Sequence, residues 1–220
     1  GGSVMTRRLL VLLAVTVAVA SSVAYAASLN VSSWHLWAGS QTLTKTTCTV
    51  TGALVDTYVD QNAATTGFGT AATLGLIPSG DAPKQQWTFV EFDLSSCNIP
   101  TTGGADSATL SLYLSTAPTT SFNYDLTRVT SAWNGTLTWS QAQALTFAGS
   151  ATTSVAGGTT VGARTFTVTA DVDSFIKGGS NFGWRVSDTG SGQNLVKDTA
   201  KFASTDSGTN VPTLTINYEK

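Results

Sequence analysis

"QQWTFVEFDLSSC", Gln85 to Cys97, is the stretch whose reading decides the fold. Successive side chains of a strand point to opposite sides, so Val90, Phe92 and Leu94 share one face, as a half-buried strand requires. Trp87, Phe89 and Glu91 share the other. One apolar face and one aromatic face describe a strand that is covered, or meets a ligand, on both sides. The stretch ends on Cys97, one of only two cysteines in the chain.

The same short alternating pattern extends in both directions. It recurs at 53–59, 73–77, 108–114, 124–129, 166–168, 182–186, 195–202 and 214–218. Pro78-Ser79-Gly80, Thr102-Gly103-Gly104, Ala156-Gly157-Gly158 and Gly178-Gly179 punctuate it. One segment reads differently. In "TADVDSFIKGG", Thr169 can cap, Val172, Phe175 and Ile176 fall on one helical face, and Gly178 supplies a stop. Many short strands, Gly-rich turns and one short helix predict an all-β sandwich of jelly-roll type over residues 50–220, with no internal repeat or linker.

Composition agrees with export. The 220 residues are 41% hydrophobic, enough for a real core, but only 11% charged, against roughly a quarter in an average soluble domain. Serine, threonine and glycine fill the gap. Arg7 and Arg8 precede an apolar run from Leu9 to Ala20, and Ala24-Tyr25-Ala26 offers small residues for cleavage after Ala26. Residues 1–26 therefore read as a signal peptide, with Gly1 to Val4 preceding a plausible start methionine. The run is shorter than the ~20 apolar residues of a spanning helix, so no membrane span is expected after cleavage. Without residues 1–26, which carry two arginines and no acid, the formal charge moves from −2 to −4. Nothing in that balance suits nucleic acid.

An oxidising compartment also interprets the cysteines. Cys48 and Cys97 are expected to form one disulfide, worth about 4 kcal/mol in the chain-entropy model for a loop of this length. Residues 27–49, with Trp34, His35 and Trp37, read as an N-terminal extension tied down by Cys48.

Four stretches, in order, carry a resemblance: "DTYVDQNAATTGFGTAATL" (56–74), "VEFDLSSCNIP" with "ADSATLSLYL", "RVTSAWNGTLTW", and "FIKGGSNFGWRVSD" with "KFASTDSGTNVPTLTINY". Together they resemble the DNRLRE domain family, which is similar to the family 96 carbohydrate-binding modules and to disaggregatase-related repeats. The resemblance covers about residues 53–219. It implies a secreted jelly roll that binds extracellular polysaccharide or builds the cell surface. The arginine-containing motif that names the family has no counterpart at "QWTFVEFDLSS".

Glycan sites use aromatic faces because sugar C–H patches are apolar, with amides and carboxylates fixing the hydroxyls. Trp87, Phe89 and Glu91 form such a set if Ser111 and Tyr113 lie on the adjacent strand. Trp133 with Asn134 is the loop alternative. The competing expectation is that Leu29–Trp37 covers Trp87 and Phe89, since large exposed apolar patches are uncommon on monomers. Trp184, between Phe182 and Val186, is expected in the core. Asp56, Asp60, Asp171, Asp173, Asp188, Asp198 and Asp206 could supply oxygen ligands, which leaves a structural calcium open, although no EF-hand-like loop occurs. No cofactor is called for. Catalysis has no motif: nothing selects two facing carboxylates among thirteen acids, and His35 stands alone. The Thr-rich strands suit self-assembly in a matrix or filament as well as glycan binding.

Overall fold

A computed structural model describes residues 44–78, 84–188 and 198–220. The expected signal peptide, the Leu29–Trp37 cover and residues 195–197 of one expected strand lie outside the described residues. The strands are β1 (Lys45–Thr51), β2 (Val55–Asp60), β3 (Thr73–Leu76), β4 (Gln86–Glu91), β5 (Ala105–Thr116) and β6 (Asn123–Arg128). They continue with β7 (Thr153–Ala156), β8 (Gly162–Thr167), β9 (Trp184–Ser187), β10 (Ala200–Ala203) and β11 (Thr213–Glu219). Two helices, α1 (Trp139–Ala142) and α2 (Thr169–Ile176), interrupt them.

All described pairings are antiparallel, in two sheets. The five-stranded sheet runs β2-β4-β9-β6-β7. The six-stranded sheet is organised about the long strand β5, with β8 along one side and β11, then β10, along the other. β1 extends it beyond β11, and β3 beyond β10. This is the expected all-β sandwich.

Alternation explains the core. Val90, Tyr124, Leu126, Trp184 and Val186 from one sheet meet Leu74, Leu110, Leu112, Phe166, Phe202, Leu214 and Ile216 from the other. Phe92 and Leu94 continue that inner face. Trp184 is fully buried as expected, and its Nε1 donates to Asp171 Oδ2 at 2.8 Å. Helix α2 closes one end of the core with Val172, Phe175 and Ile176. Its cap differs from expectation. Val168 is the N-cap, while Thr169 Oγ1 accepts from the Ala108 backbone N–H at 2.9 Å, tying the helix to β5. Gly178, at φ +95°, takes the left-handed conformation that ends the helix.

The disulfide joins Cys48, in the middle of β1, to Cys97 in a 3-10 turn, with Cα atoms 5.6 Å apart. β1 begins at Lys45, so the sheet starts inside the stretch read as an extension. β7 was not foreseen. Its sequence, TSVA, is too short to show a period.

Candidate functional site

The outer face of the five-stranded sheet carries Trp87, Phe89 and Glu91, as the alternation requires. It is not an open platform. The segment after β6 folds back across it and brings Trp133, Leu137, Trp139, Ala142 and Phe147 onto Val59, Trp87 and Phe89. Phe89 has no exposed surface, and its ring centroid lies 5.5 Å from that of Trp133. Trp133 is held there by its Nε1, which donates to the Phe182 carbonyl at 2.7 Å. Trp87 packs on Trp139, with centroids 4.5 Å apart, and the Arg185 guanidinium carbon lies 4.8 Å from its ring centre. Arg185 sits closer still over Phe147, at 4.1 Å. Trp87 is therefore half-buried and engaged by both a ring and a cation.

A capping box builds this cover. Thr138 Oγ1 accepts from the Gln141 backbone N–H, and Gln141 Oε1 accepts from the Thr138 N–H, which starts α1 and turns Trp139 inward. Asn134 stays exposed and organises the preceding turn. Its Oδ1 accepts from the Thr136 N–H at 2.9 Å and from the Thr136 hydroxyl at 2.7 Å. Burial pushes the Glu91 carboxyl upward and pulls the Arg185 guanidinium down to about 10, the latter against the opposing influence of Asp125.

Beside Asn134 lies a groove of about 620 Å3, lined by Thr65, Gly67, Gly69, Thr70, Gly135, Thr136 and Thr138. Its glycines allow close approach between two loops, because a Cβ at Gly69 would collide with the Gly135 carbonyl. No aromatic ring lines it, so it offers hydroxyls and backbone without a stacking surface.

Tyr113 is not where the sequence reading wanted it. β4 pairs with β2 and β9, whereas Tyr113 stands on β5, in the other sheet. The connection between β4 and β5 carries the Cys97 turn and crosses between sheets. Trp87 and Tyr113 therefore do not form one platform. Alternation reports which face a side chain takes; it does not report which strand lies alongside.

The outer face around Tyr113 holds what sequence reasoning missed. Register aligns Thr49 with Thr215, Thr215 with Thr109, and Thr109 with Thr167, a row across β1, β11, β5 and β8. The next row is Thr51, Thr213, Ser111 and Thr165. A third, Thr47, Asn217 and Ser107, is linked by hydrogen bonds of 2.6 and 2.9 Å through the Asn217 amide. Tyr113 follows Ser111 along β5, opposite Ala163. The signal was present in the T-x-T spacing of "TTCTVT", "TLTIN" and "TFT", but the strand order that aligns these threonines was not.

The aspartates act as loop clips. Asp56 Oδ2 accepts from the Thr205 N–H and hydroxyl at 2.8 and 2.7 Å, and burial raises its pKa against those bonds. Asp198 accepts from Thr119 and Thr120. Asp171 accepts from Trp184 and from Thr152 at 2.7 Å, with Arg128 3.7 Å away. Asp60 caps a 3-10 turn through Asn62 and accepts from Gln86. Among the described residues, no three acidic, histidine or cysteine side chains gather in a group suited to a metal ion.

The fold, the Thr-lined face and the paired cysteines can be set beside known proteins. Comparison with curated proteins gives no match. A match to carbohydrate-binding module family 96 spans residues 47–218, from β1 through β11 and so across both sheets. The chain belongs to carbohydrate-binding module family 96.

Proposed function

We propose that the protein is a secreted, non-catalytic module that binds polysaccharide on the outer face of the six-stranded sheet, around Tyr113. One observation carries this reading. Tyr113 is the only aromatic residue singled out in the sequence whose ring stacks on no other ring and whose hydroxyl has no partner among the described residues. Half-buried beside two rows of hydroxyls, it offers a sugar an apolar face and hydrogen-bonding groups together. In this reading Trp87, Phe89, Glu91 and Trp133 hold the fold, and Asn134 shapes a turn. Membership of a carbohydrate-binding family supports a glycan partner, and the disulfide is consistent with an extracellular location.

The test is retention of the purified mature protein on a panel of immobilised neutral and acidic polysaccharides, with Tyr113→Ala beside it. Removing the ring should weaken retention about tenfold or more, a little over 1 kcal/mol, at an unchanged thermal midpoint. Retention indifferent to Tyr113 would place the site elsewhere.

A second reading, a subunit of an extracellular matrix or filament, rests on β1. The pairing of Thr44 with Lys220 directs alternate backbone groups of β1 to β11, so those of Lys45, Thr47, Thr49 and Thr51 turn to a margin that no described strand covers. Such a margin can pair with another copy. Ordered high-mass assembly without glycan retention would favour it.

A further inference from the structure

We infer that Asn134 is the acceptor of an N-linked glycan, carried on the lid over the five-stranded sheet and so on the opposite outer face from Tyr113. This rests on the reading of the chain as exported, because the donor, an oligosaccharide held on a polyprenyl phosphate, is met beyond the membrane.

The acceptor motif is Asn-x-Ser/Thr, with x any residue but proline. Asn134-Gly135-Thr136 fits it, and no other asparagine among the described residues stands two positions before a serine or threonine. In a chain so rich in threonine the triplet alone carries little. Its geometry carries the rest. Asn134 Oδ1 is fully engaged, accepting from the Thr136 N–H at 2.9 Å and from the Thr136 hydroxyl at 2.7 Å. The carboxamide is planar, so these two bonds direct Nδ2 away from the turn, and Nδ2 donates to none of the described residues. Asn134 and Thr136 are both exposed. The Leu137 N–H closes the turn on the Asn134 carbonyl at 3.0 Å, so consecutive residues build the whole arrangement. Trp133 and Leu137, packed into the lid on either side, fix its position on the surface.

The transfer leaves the fold intact. Nδ2 attacks the anomeric carbon of the lipid-linked sugar, and an N–C bond forms. The C–O bond to phosphate breaks, the phosphate leaves with the electron pair, and Nδ2 gives up one proton. Oδ1 takes no part, so both bonds to Thr136 survive, and with them the turn that leads into α1. The sugar also has room. The groove of about 620 Å3 opens beside Asn134, with Thr65, Thr70 and Thr136 on its walls and no aromatic ring. A free glycan would need a stacking surface there. A glycan delivered covalently at the rim does not, because its effective concentration is already high.

Peptide mass spectrometry of the protein recovered from its native host tests this. Trypsin yields residues 129–164 in one piece, with Asn134 as its single asparagine. That peptide should carry added sugar mass, and fragmentation that keeps the sugar attached should place it on Asn134. Thr136→Ser, which retains the motif, should keep the sugar, and Thr136→Val should lose it. A bare Asn134, sugar found instead on the threonines of the same peptide, or a Thr136→Val variant that keeps its glycan overturns the inference. The N-terminus read from the same sample separates the inference from the export reading beneath it. A bare Asn134 on a chain cleaved after Ala26 defeats the inference and leaves export in place. A bare Asn134 on a chain that retains residues 1–26 defeats the export reading, and the inference with it.

Discussion

The two outer faces of the sandwich obey the same alternation and come to opposite ends. On the five-stranded sheet the outward residues of β4 are Trp87 and Phe89, and the chain spends residues 129–147 covering them. On the six-stranded sheet the outward residues of β1, β11, β5 and β8 are mostly threonines and serines, exposed or half-buried. Large rings left in water are an association hazard, so they acquire a lid and become a second core. Threonine needs no lid. The aromatic face therefore stabilises the molecule, and the hydroxyl face is free to meet a partner.

The largest test of that division is Phe89→Ala. Emptying a fully buried ring site should cost about 3–5 kcal/mol in denaturant unfolding. A loss below about 1 kcal/mol would mean that the cover is loosely packed, and the contrast between the faces would weaken.

Removing the disulfide, by Cys48→Ala with Cys97→Ala, should cost about 4 kcal/mol. The same variant sharpens the comparison, because β1 supplies one end of each threonine row. It should therefore weaken polysaccharide retention as well as stability. Alkylation of the folded, non-reduced protein should find neither cysteine free, and mass spectrometry checks this directly.

Tyr124→Phe probes the core shared by both faces. The Tyr124 hydroxyl is buried with no hydrogen-bond partner, so removing it should gain up to about 1 kcal/mol. Burial, together with Asp198 and against Arg164, pushes its pKa up from 10.0 to about 12. Between those values the folded state keeps a proton that the unfolded state has lost, so stability from this group falls as pH rises from 10 towards 12. The phenylalanine variant should lack that component, and thermal midpoints across the window would reveal the difference.

What was legible in the sequence follows the same line. Face assignments were legible, because a period of two is local: Val90 and Phe92 point inward, Trp87 and Phe89 outward, and Trp184 is core. The helix was legible from Val172, Phe175 and Ile176, and the disulfide from two cysteines in a chain read as exported. Strand neighbours were not. Tyr113 joins Trp87 only if β5 lies beside β4, and the crossing near Cys97 sends β5 to the other sheet. Strand order is also what lines up the threonines of β1, β11, β5 and β8, three of which are separated from the first by more than fifty residues. Local pattern can nominate each threonine but cannot align the row.

The central claim is that stability and recognition are divided between the two faces. Trp133→Ala and Tyr113→Ala, measured side by side for thermal midpoint and polysaccharide retention, test it most directly. Trp133→Ala should lower the midpoint steeply and, below that midpoint, leave retention in place. Tyr113→Ala should change stability by less than about 0.5 kcal/mol, leave the midpoint nearly unchanged and lose most retention. The reverse pattern, with retention lost at an unchanged midpoint in Trp133→Ala and kept in Tyr113→Ala, would contradict the account.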